Sequence, residues 1–110
     1  MDDRRQHSRH ATELHIEVFD LHSGRRLGRV VDLSADGFML FSESPLENDS
    51  VWECRLTVEP PVDDIHEIRL GADCLWSRPG ANNQNGWSGF HIIDLADEQA
   101  SALEVVLQHI

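Results

Sequence analysis

The sequence predicts a fold dominated by β-structure, a six-stranded antiparallel β-barrel with one α-helix at the C-terminus. The 110-residue length is close to that of one domain with a single core. Six short segments have the apolar and β-branched composition of strands and are separated by turn residues. Residues 97–110 instead repeat apolar side chains at helical spacing, and Asp97 and Glu98 suit the positive end of a helix dipole.

Alternation of apolar and polar residues predicts the first three strands. Leu14, Ile16 and Val18 fall on one side of the first segment, which is typical of a half-buried strand. The turn residues at 22–24 then lead back into a second strand, so the first two strands are expected to form a hairpin. The strands predicted in this half of the chain cover residues 14–21, 27–33 and 38–41.

A turn with the sequence Asp-Leu-Ser-Ala-Asp-Gly separates the second and third predicted strands. Asp32 and Ser34 are able to bond nearby backbone groups, and Gly37 is free to take a positive φ. Such residues usually only shape a turn. They could also present their side chains to a ligand at the same time.

Three more strands are predicted in the second half of the chain. Pro60 and Pro61 are expected to end the fourth strand, because proline cannot continue a hydrogen-bonded ladder. The fifth strand is expected to bend at Gly71, and a polar loop follows it. Trp52 and Trp87 are expected to pack on the barrel, whereas Trp76 is equally compatible with a ligand contact. The strands predicted in this half cover residues 51–58, 65–76 and 87–95.

The charge distribution narrows the class of partner. The net charge is −11, yet residues 1–30 hold six arginines against five acidic residues, and residues 31–110 hold three against fifteen. A surface this acidic argues against duplex DNA or an anionic membrane, whereas a small anion could bind beside a local arginine cluster. We therefore expect no nucleic-acid polymer as a partner.

Apolar segments give no sign of export or membrane insertion. No run approaches the roughly 20 apolar residues of a membrane-spanning helix, and the N-terminus lacks the apolar stretch of a signal peptide. We expect a cytoplasmic protein without membrane insertion. Cys54 and Cys74 lie in apolar, strand-like surroundings and are expected to be buried free thiols.

Neither a metal site nor an active site is predicted. His7 and His10 are close in sequence, but no cysteine or carboxylate completes a zinc-like spacing. Ser34, Asp32 and a histidine could be arranged on paper as a hydrolytic triad. No G-x-S-x-G nucleophile context supports that arrangement. We therefore expect that the protein is not an enzyme, that it has no catalytic residue and that it needs no cofactor.

Two short motifs carry the chemistry of the chain. Arg5 and Arg9 form R-x-x-x-R, and Asp32, Ser34 and Gly37 form D-x-S-x-x-G. Arginine pairs with phosphate or with the O6/N7 edge of guanine, while a carboxylate and a hydroxyl accept the N–H donors on the other edge of guanine. The alternative for the arginines is a solvated, disordered tail. Together the motifs favour a sensor of a doubly negative, guanine-containing nucleotide.

These motifs resemble those of the PilZ domain family, the bacterial receptor module for the second messenger cyclic di-GMP. The resemblance spans nearly the whole chain, so we expect a stand-alone PilZ protein with a flexible arm over 1–12, a split-type barrel over 13–96 and a C-terminal helix over 97–110. The resemblance is carried by Arg5, Arg9, and residues 28–38, 75–78 and 89–95.

The resemblance also implies which residues contact the ligand. The N-terminal arginines would grip phosphates and guanine edges, the aspartate and serine of the turn would bond guanine, and the glycine would let the turn approach. The implied ligand-binding residues are Arg4, Arg5, Arg9, Asp32, Ser34, Gly37, Trp76 and Arg78. Arg4, directly before R-x-x-x-R, favours an intercalated pair of cyclic di-GMP molecules over one.

Two functions therefore remain open. One is a cyclic di-GMP receptor whose arm becomes ordered on binding and which signals to an unidentified protein. The other is a PilZ-fold adaptor that acts by protein contact, with weak or no nucleotide binding.

Overall fold

The computed structural model describes residues 14–42, 50–80 and 86–110, and within them six antiparallel strands close into a barrel, as predicted. The elements are β1 (His15–Asp20), β2 (Arg26–Leu33), β3 (Gly37–Ser42), β4 (Val51–Val62), β5 (Ile65–Pro79), β6 (Gly86–Asp94) and α1 (Asp97–Leu107). The order around the barrel is β1-β2-β3-β6-β5-β4, and β4 pairs with β1 to close it. The predicted arm over 1–12 lies outside the described residues.

The core fills the inside of the barrel. Val18, Leu40 and Leu56 are fully buried at positions that alternate with outward-facing neighbours along their strands. The helix α1 adds Leu103 and Val106 to the same cluster. Burial of each large apolar side chain stabilises the fold by about 1.5–3 kcal/mol, so the barrel interior is the main source of stability.

The strand β4 runs on to Val62 through Pro60 and Pro61, where the sequence predicts a break. β1 begins opposite Glu59, so within the described strands neither proline has a partner on that side. Regular pairing with β5 stops after Thr57 and resumes only at Val62. The prediction was wrong because both prolines lie in an irregular segment, where no ladder hydrogen bond requires their missing N–H groups.

Other element ends differ from the prediction by a few residues. The pairing of β5 shifts after Gly71, where the sequence predicts a bend, and shifts again between Cys74 and Trp76. β5 continues to Pro79 because its end still pairs with β6. α1 begins at Asp97 as predicted but ends at Leu107, followed by a short turn instead of three more helical residues.

Both cysteines are buried thiols without a disulfide bond, as predicted. Burial raises the pKa of Cys54 to about 12, and the negative charge of Asp20 adds to that shift. Neither property gives these thiols a role in ligand chemistry. Among the described elements, α1 is too short and too polar to cross a membrane, and no other helix is present there.

Candidate ligand-binding site

The turn between β2 and β3 is organised by the hydroxyl of Ser34. Its Oγ accepts from the backbone N–H groups of Asp36 at 3.3 Å and Gly37 at 3.2 Å, and donates to the carbonyl of Gly37 at 3.2 Å. The N–H of Ser34 also donates to that carbonyl, at 2.9 Å. Ser34 therefore shapes the turn that carries the D-x-S-x-x-G motif.

Gly37 has a different role from the one its turn position predicts. Its φ is not positive; among the described glycines only Gly24 has a positive φ. A Cβ at Gly37 would instead lie 2.2 Å from the carbonyl oxygen of Phe90 on β6. The glycine is required because β3 and β6 approach each other closely at the start of their pairing.

Asp32 and Trp76 lie on the same outer face of the barrel, at the ends of one row of paired residues. Asp32 pairs with Met39, Met39 with Gly89, and Gly89 with Trp76, so the row crosses β2, β3, β6 and β5. Residues directly opposite in paired strands point to the same face of a sheet. The carboxylate of Asp32 is exposed and makes no hydrogen bond or ion pair with another described residue.

The indole of Trp76 lies against Gly89. A Cβ built on Gly89 would be 2.1 Å from Nε1 of Trp76 and 2.5 Å from its Cε2. The irregularity between Cys74 and Trp76 leaves Leu75 as an extra, exposed residue in β5, and the Cys74 thiol donates to the Trp76 carbonyl at 3.4 Å. Such an irregularity changes the direction of the following side chain, so that Trp76 points outward and belongs to the same row as Asp32. The side chain keeps 36% of its surface exposed.

Arg78 lies next to this indole. Its Cζ is 5.6 Å from the centre of the Trp76 ring, within the range of a cation–π contact. Arg78 also belongs to the next outward row, in which it pairs with Trp87, Trp87 with Phe41, and Phe41 with Arg29. The two aromatic rings of that row meet edge to face at 4.8 Å between centroids.

Trp87 was predicted to pack on the barrel, and the structure shows 40% of it exposed on this outer face. Trp52 does pack against the core. Phe41, Trp87 and Arg29 were missed as surface residues because only the strand register shows which side they face. Alternation along β3 and β6 was the available signal, but both faces of these strands carry apolar residues, so alternation there does not distinguish inside from outside.

Two arginines on this face form no ion pair with a described residue, although Glu17 lies opposite Arg29 in the pairing of β1 with β2. Neither Arg29 nor Arg78 forms an ion pair there, although both are exposed. The other arginines of the described strands pair with carboxylates: Arg26 with Glu17 at 2.8 Å, Arg69 with Glu67 at 2.9 Å and Arg55 with Glu67 at 3.6 Å. In an acidic chain, two unpaired guanidinium groups beside aromatic rings favour a planar, anionic ligand.

A second concavity lies on the other side of the barrel. It is an open groove of about 640 Å³ between β1, β4 and β5, with His15, Arg55, Glu59 and His66 along it. None of the described motif residues, Asp32, Ser34 and Gly37, lines it. The described residues also bring no three histidine, cysteine or acidic side chains together as a metal site.

The structure thus places five predicted site residues along two rows and one turn: Asp32, Ser34, Gly37, Trp76 and Arg78. Arg4, Arg5 and Arg9 lie outside the described residues. A closed barrel whose outer face presents a free carboxylate, an indole and two unpaired guanidiniums defines a small binding module.

The chain belongs to the PilZ domain family, whose sequence model matches residues 3–108. The match includes both motifs, the barrel and α1. PilZ domains are binding and adaptor domains. No curated protein matches the sequence.

Proposed function

We propose that this protein is a receptor for cyclic di-GMP, which it binds on the outer face formed by β2, β3, β6 and β5. The observation that carries this proposal is the strand register that aligns Asp32 with Trp76 on that face, with Arg78 over the indole. The family of the chain supports the same ligand.

Each group has a partner in a guanine nucleotide. The carboxylate of Asp32 accepts the N–H donors on the Watson–Crick edge of guanine. Trp76 offers its ring for stacking, which contributes about 1–3 kcal/mol per base, when the guanidinium of Arg78 turns from the ring towards the ligand. Arg78 pairs with a phosphate or with the O6/N7 edge of guanine. Ser34 holds the turn. Its hydroxyl can bond a ligand only if it gives up one of its hydrogen bonds to Gly37.

The N-terminal arginines enter the proposal from their sequence alone. Arg4, Arg5 and Arg9 supply positive charge for the remaining phosphate and guanine groups, and Arg4 favours two intercalated ligands per chain. A ligand that bridges this segment and the barrel changes the surface available to a partner protein. The proposal includes action in the bacterial cytoplasm, where cyclic di-GMP is a second messenger for the family.

Calorimetric titration with cyclic di-GMP tests the proposal. We expect saturable heat at micromolar ligand with a ratio near two per chain, and a weaker response for the Arg78→Ala variant. Arg25→Ala is the matched control, because Arg25 is also exposed but lies at the turn between β1 and β2. Absence of heat for the wild-type protein at tens of micromolar ligand would contradict the proposal.

A second function is favoured by apolar exposure on and around the same face. Leu75 is 56% exposed, Val31 47% and Trp87 40%. Aromatic and apolar side chains beside arginine are enriched in protein–protein interfaces. An adaptor that binds its partner through these residues needs no nucleotide. Partner binding that is equal with and without cyclic di-GMP, combined with a titration that shows no heat, would favour the adaptor.

A further inference from the structure

Gly89 lies beneath the indole of Trp76, at the centre of the proposed ligand face. We infer that Gly89 is a positioning residue for ligand binding, because it leaves the space in which the Trp76 indole is held before the ligand arrives. The inference rests on the proposed function for its ligand, whereas the packing of the indole on Gly89 is a property of the free protein.

The first step is that no side chain at position 89 is compatible with this indole position. The three atoms nearest to a Cβ on Gly89 all belong to the Trp76 ring: Nε1 at 2.1 Å, Cε2 at 2.5 Å and Cδ1 at 2.9 Å. All three distances are shorter than the 3.0 Å that Cβ atoms in proteins essentially always keep. A methyl group at position 89 therefore displaces the ring.

The second step is that the backbone gives no other reason for glycine. Gly89 is not among the described residues with positive φ, so its conformation is open to any L-residue. No backbone atom is among the three nearest neighbours of a Cβ at this position, in contrast to Gly37, where the carbonyl of Phe90 is nearest. Space for the indole is the requirement at position 89.

The third step is that the indole is held from other directions too. The irregularity at Leu75 turns the Trp76 side chain outward, and Arg78 lies over its ring. An aromatic surface that is already oriented loses little conformational entropy when a base stacks on it. A displaced ring would have to be reordered by the ligand, which lowers affinity.

A double-mutant cycle tests the inference. Gly89→Ala is expected to weaken cyclic di-GMP binding roughly tenfold, in proportion to the loss of one base-stacking contact. In the Trp76→Ala background, Gly89→Ala is expected to have no further effect, since the space is then empty. Gly71→Ala is the matched control, because the nearest atom to its Cβ would be the Cβ of Asp94, at 3.1 Å, and Trp76 is not among its three nearest neighbours.

A ligand-independent readout separates this inference from the proposed function. In a Trp52→Phe/Trp87→Phe background the emission comes from Trp76 alone, and Gly89→Ala is expected to shift its maximum. If Gly89→Ala alone folds poorly, the Trp76→Ala/Gly89→Ala variant is expected to be as stable as Trp76→Ala.

Three results would overturn the inference: an unchanged Trp76 emission, wild-type affinity in Gly89→Ala, or an equal loss of affinity with and without Trp76. A wild-type protein that binds no cyclic di-GMP would instead contradict the proposed function, and the emission shift would still test whether Gly89 positions the indole.

Discussion

Asp32 and Trp76 are far apart in sequence but stand on one outward-facing row of the barrel, joined through Met39 and Gly89. The pairing of four strands brings a carboxylate on β2 and an indole on β5 into one row. Two irregularities set that alignment, one at Val31 in β2 and one at Leu75 in β5. The candidate site therefore depends on register as much as on motif residues.

Asp32→Asn is expected to weaken cyclic di-GMP binding by about 1.5–3 kcal/mol, because the charged acceptor for guanine N–H groups is lost. Stability should be unchanged, since the Asp32 side chain has no bonding partner among the described residues. Asp36→Asn is the matched control, an exposed acid in the same turn. Calorimetry on both variants checks this prediction. Equal affinities for the two variants would remove Asp32 from the site.

Two buried serines are expected to respond oppositely to replacement by alanine. Ser42 donates its hydroxyl to the Leu27 carbonyl at 2.7 Å, so Ser42→Ala should cost about 1 kcal/mol. Ser88 is equally buried, but its hydroxyl has no hydrogen-bond partner among the described residues, so Ser88→Ala should be neutral or stabilising by up to about 1 kcal/mol. Urea unfolding measures both. A clear destabilisation by Ser88→Ala would show that its hydroxyl is bonded in solution.

Substitutions in the tight turn between β4 and β5 are expected to stabilise the protein. Asp63 and Asp64 have φ values of 49° and 67°, and the flanking residues Val62 and Ile65 pair across the turn. Asn-Gly is the preferred sequence for such a two-residue turn. The Asp63→Asn/Asp64→Gly variant should therefore raise the free energy of unfolding by on the order of 1 kcal/mol.

The reverse change supplies the control for that turn. Gly24 also has a positive φ, of 77°, with open space around it. Gly24→Ala should destabilise the protein by about 1 kcal/mol, because alanine is strained in that conformation. A stabilised Gly24→Ala variant would contradict the backbone argument at both turns.

Glu17 is expected to make the free energy of unfolding depend on pH in the acidic range. Hydrogen bonds from His15 and then from Arg26 hold the pKa of Glu17 below its usual value. A lowered folded-state pKa stabilises the protein above the unfolded-state pKa, near about 4.3, and that contribution is lost as pH falls through the folded-state value. The free energy of unfolding of wild type should exceed that of Glu17→Gln by about 0.5–1 kcal/mol at pH 7.

The difference between wild type and Glu17→Gln should shrink as the pH falls below about 4. Glu104→Gln is the control, since Glu104 is exposed on α1 and its side chain forms no ion pair with the described residues. Denaturant unfolding across the pH range measures both. A difference that stays constant with pH would assign the effect to packing instead of charge.

The fold was predictable because strand alternation and turn residues are local properties. Ile16 and Val18 mark the inner face of β1 without any knowledge of the neighbouring strands, and the helical spacing after Asp97 marks α1. The prolines of β4 were misread because their tolerance depends on where β1 begins. Whether a strand tolerates proline depends on its partner strands, and the local sequence does not identify those partners.

The candidate site was predictable only as far as its motifs. Asp32 and Ser34 were predicted from motif chemistry and Trp76 from the resemblance, but the requirement for glycine at position 89 follows from contact with an indole on another strand. Gly37 was identified for the wrong physical reason, since close approach of β6 replaces the expected positive φ. Contacts between strands carried the information that the motifs lacked.

Amide chemical shifts recorded during a titration with cyclic di-GMP test the central claim most directly. We predict that the largest changes map to residues 32–37 on the turn, residues 76–78 on β5 and Gly89 on β6, and that the indole N–H of Trp76 shifts with them. Residues along the groove between β1 and β4 should change little. Absence of shifts, or changes confined to that groove, would contradict the assignment of the ligand to this face.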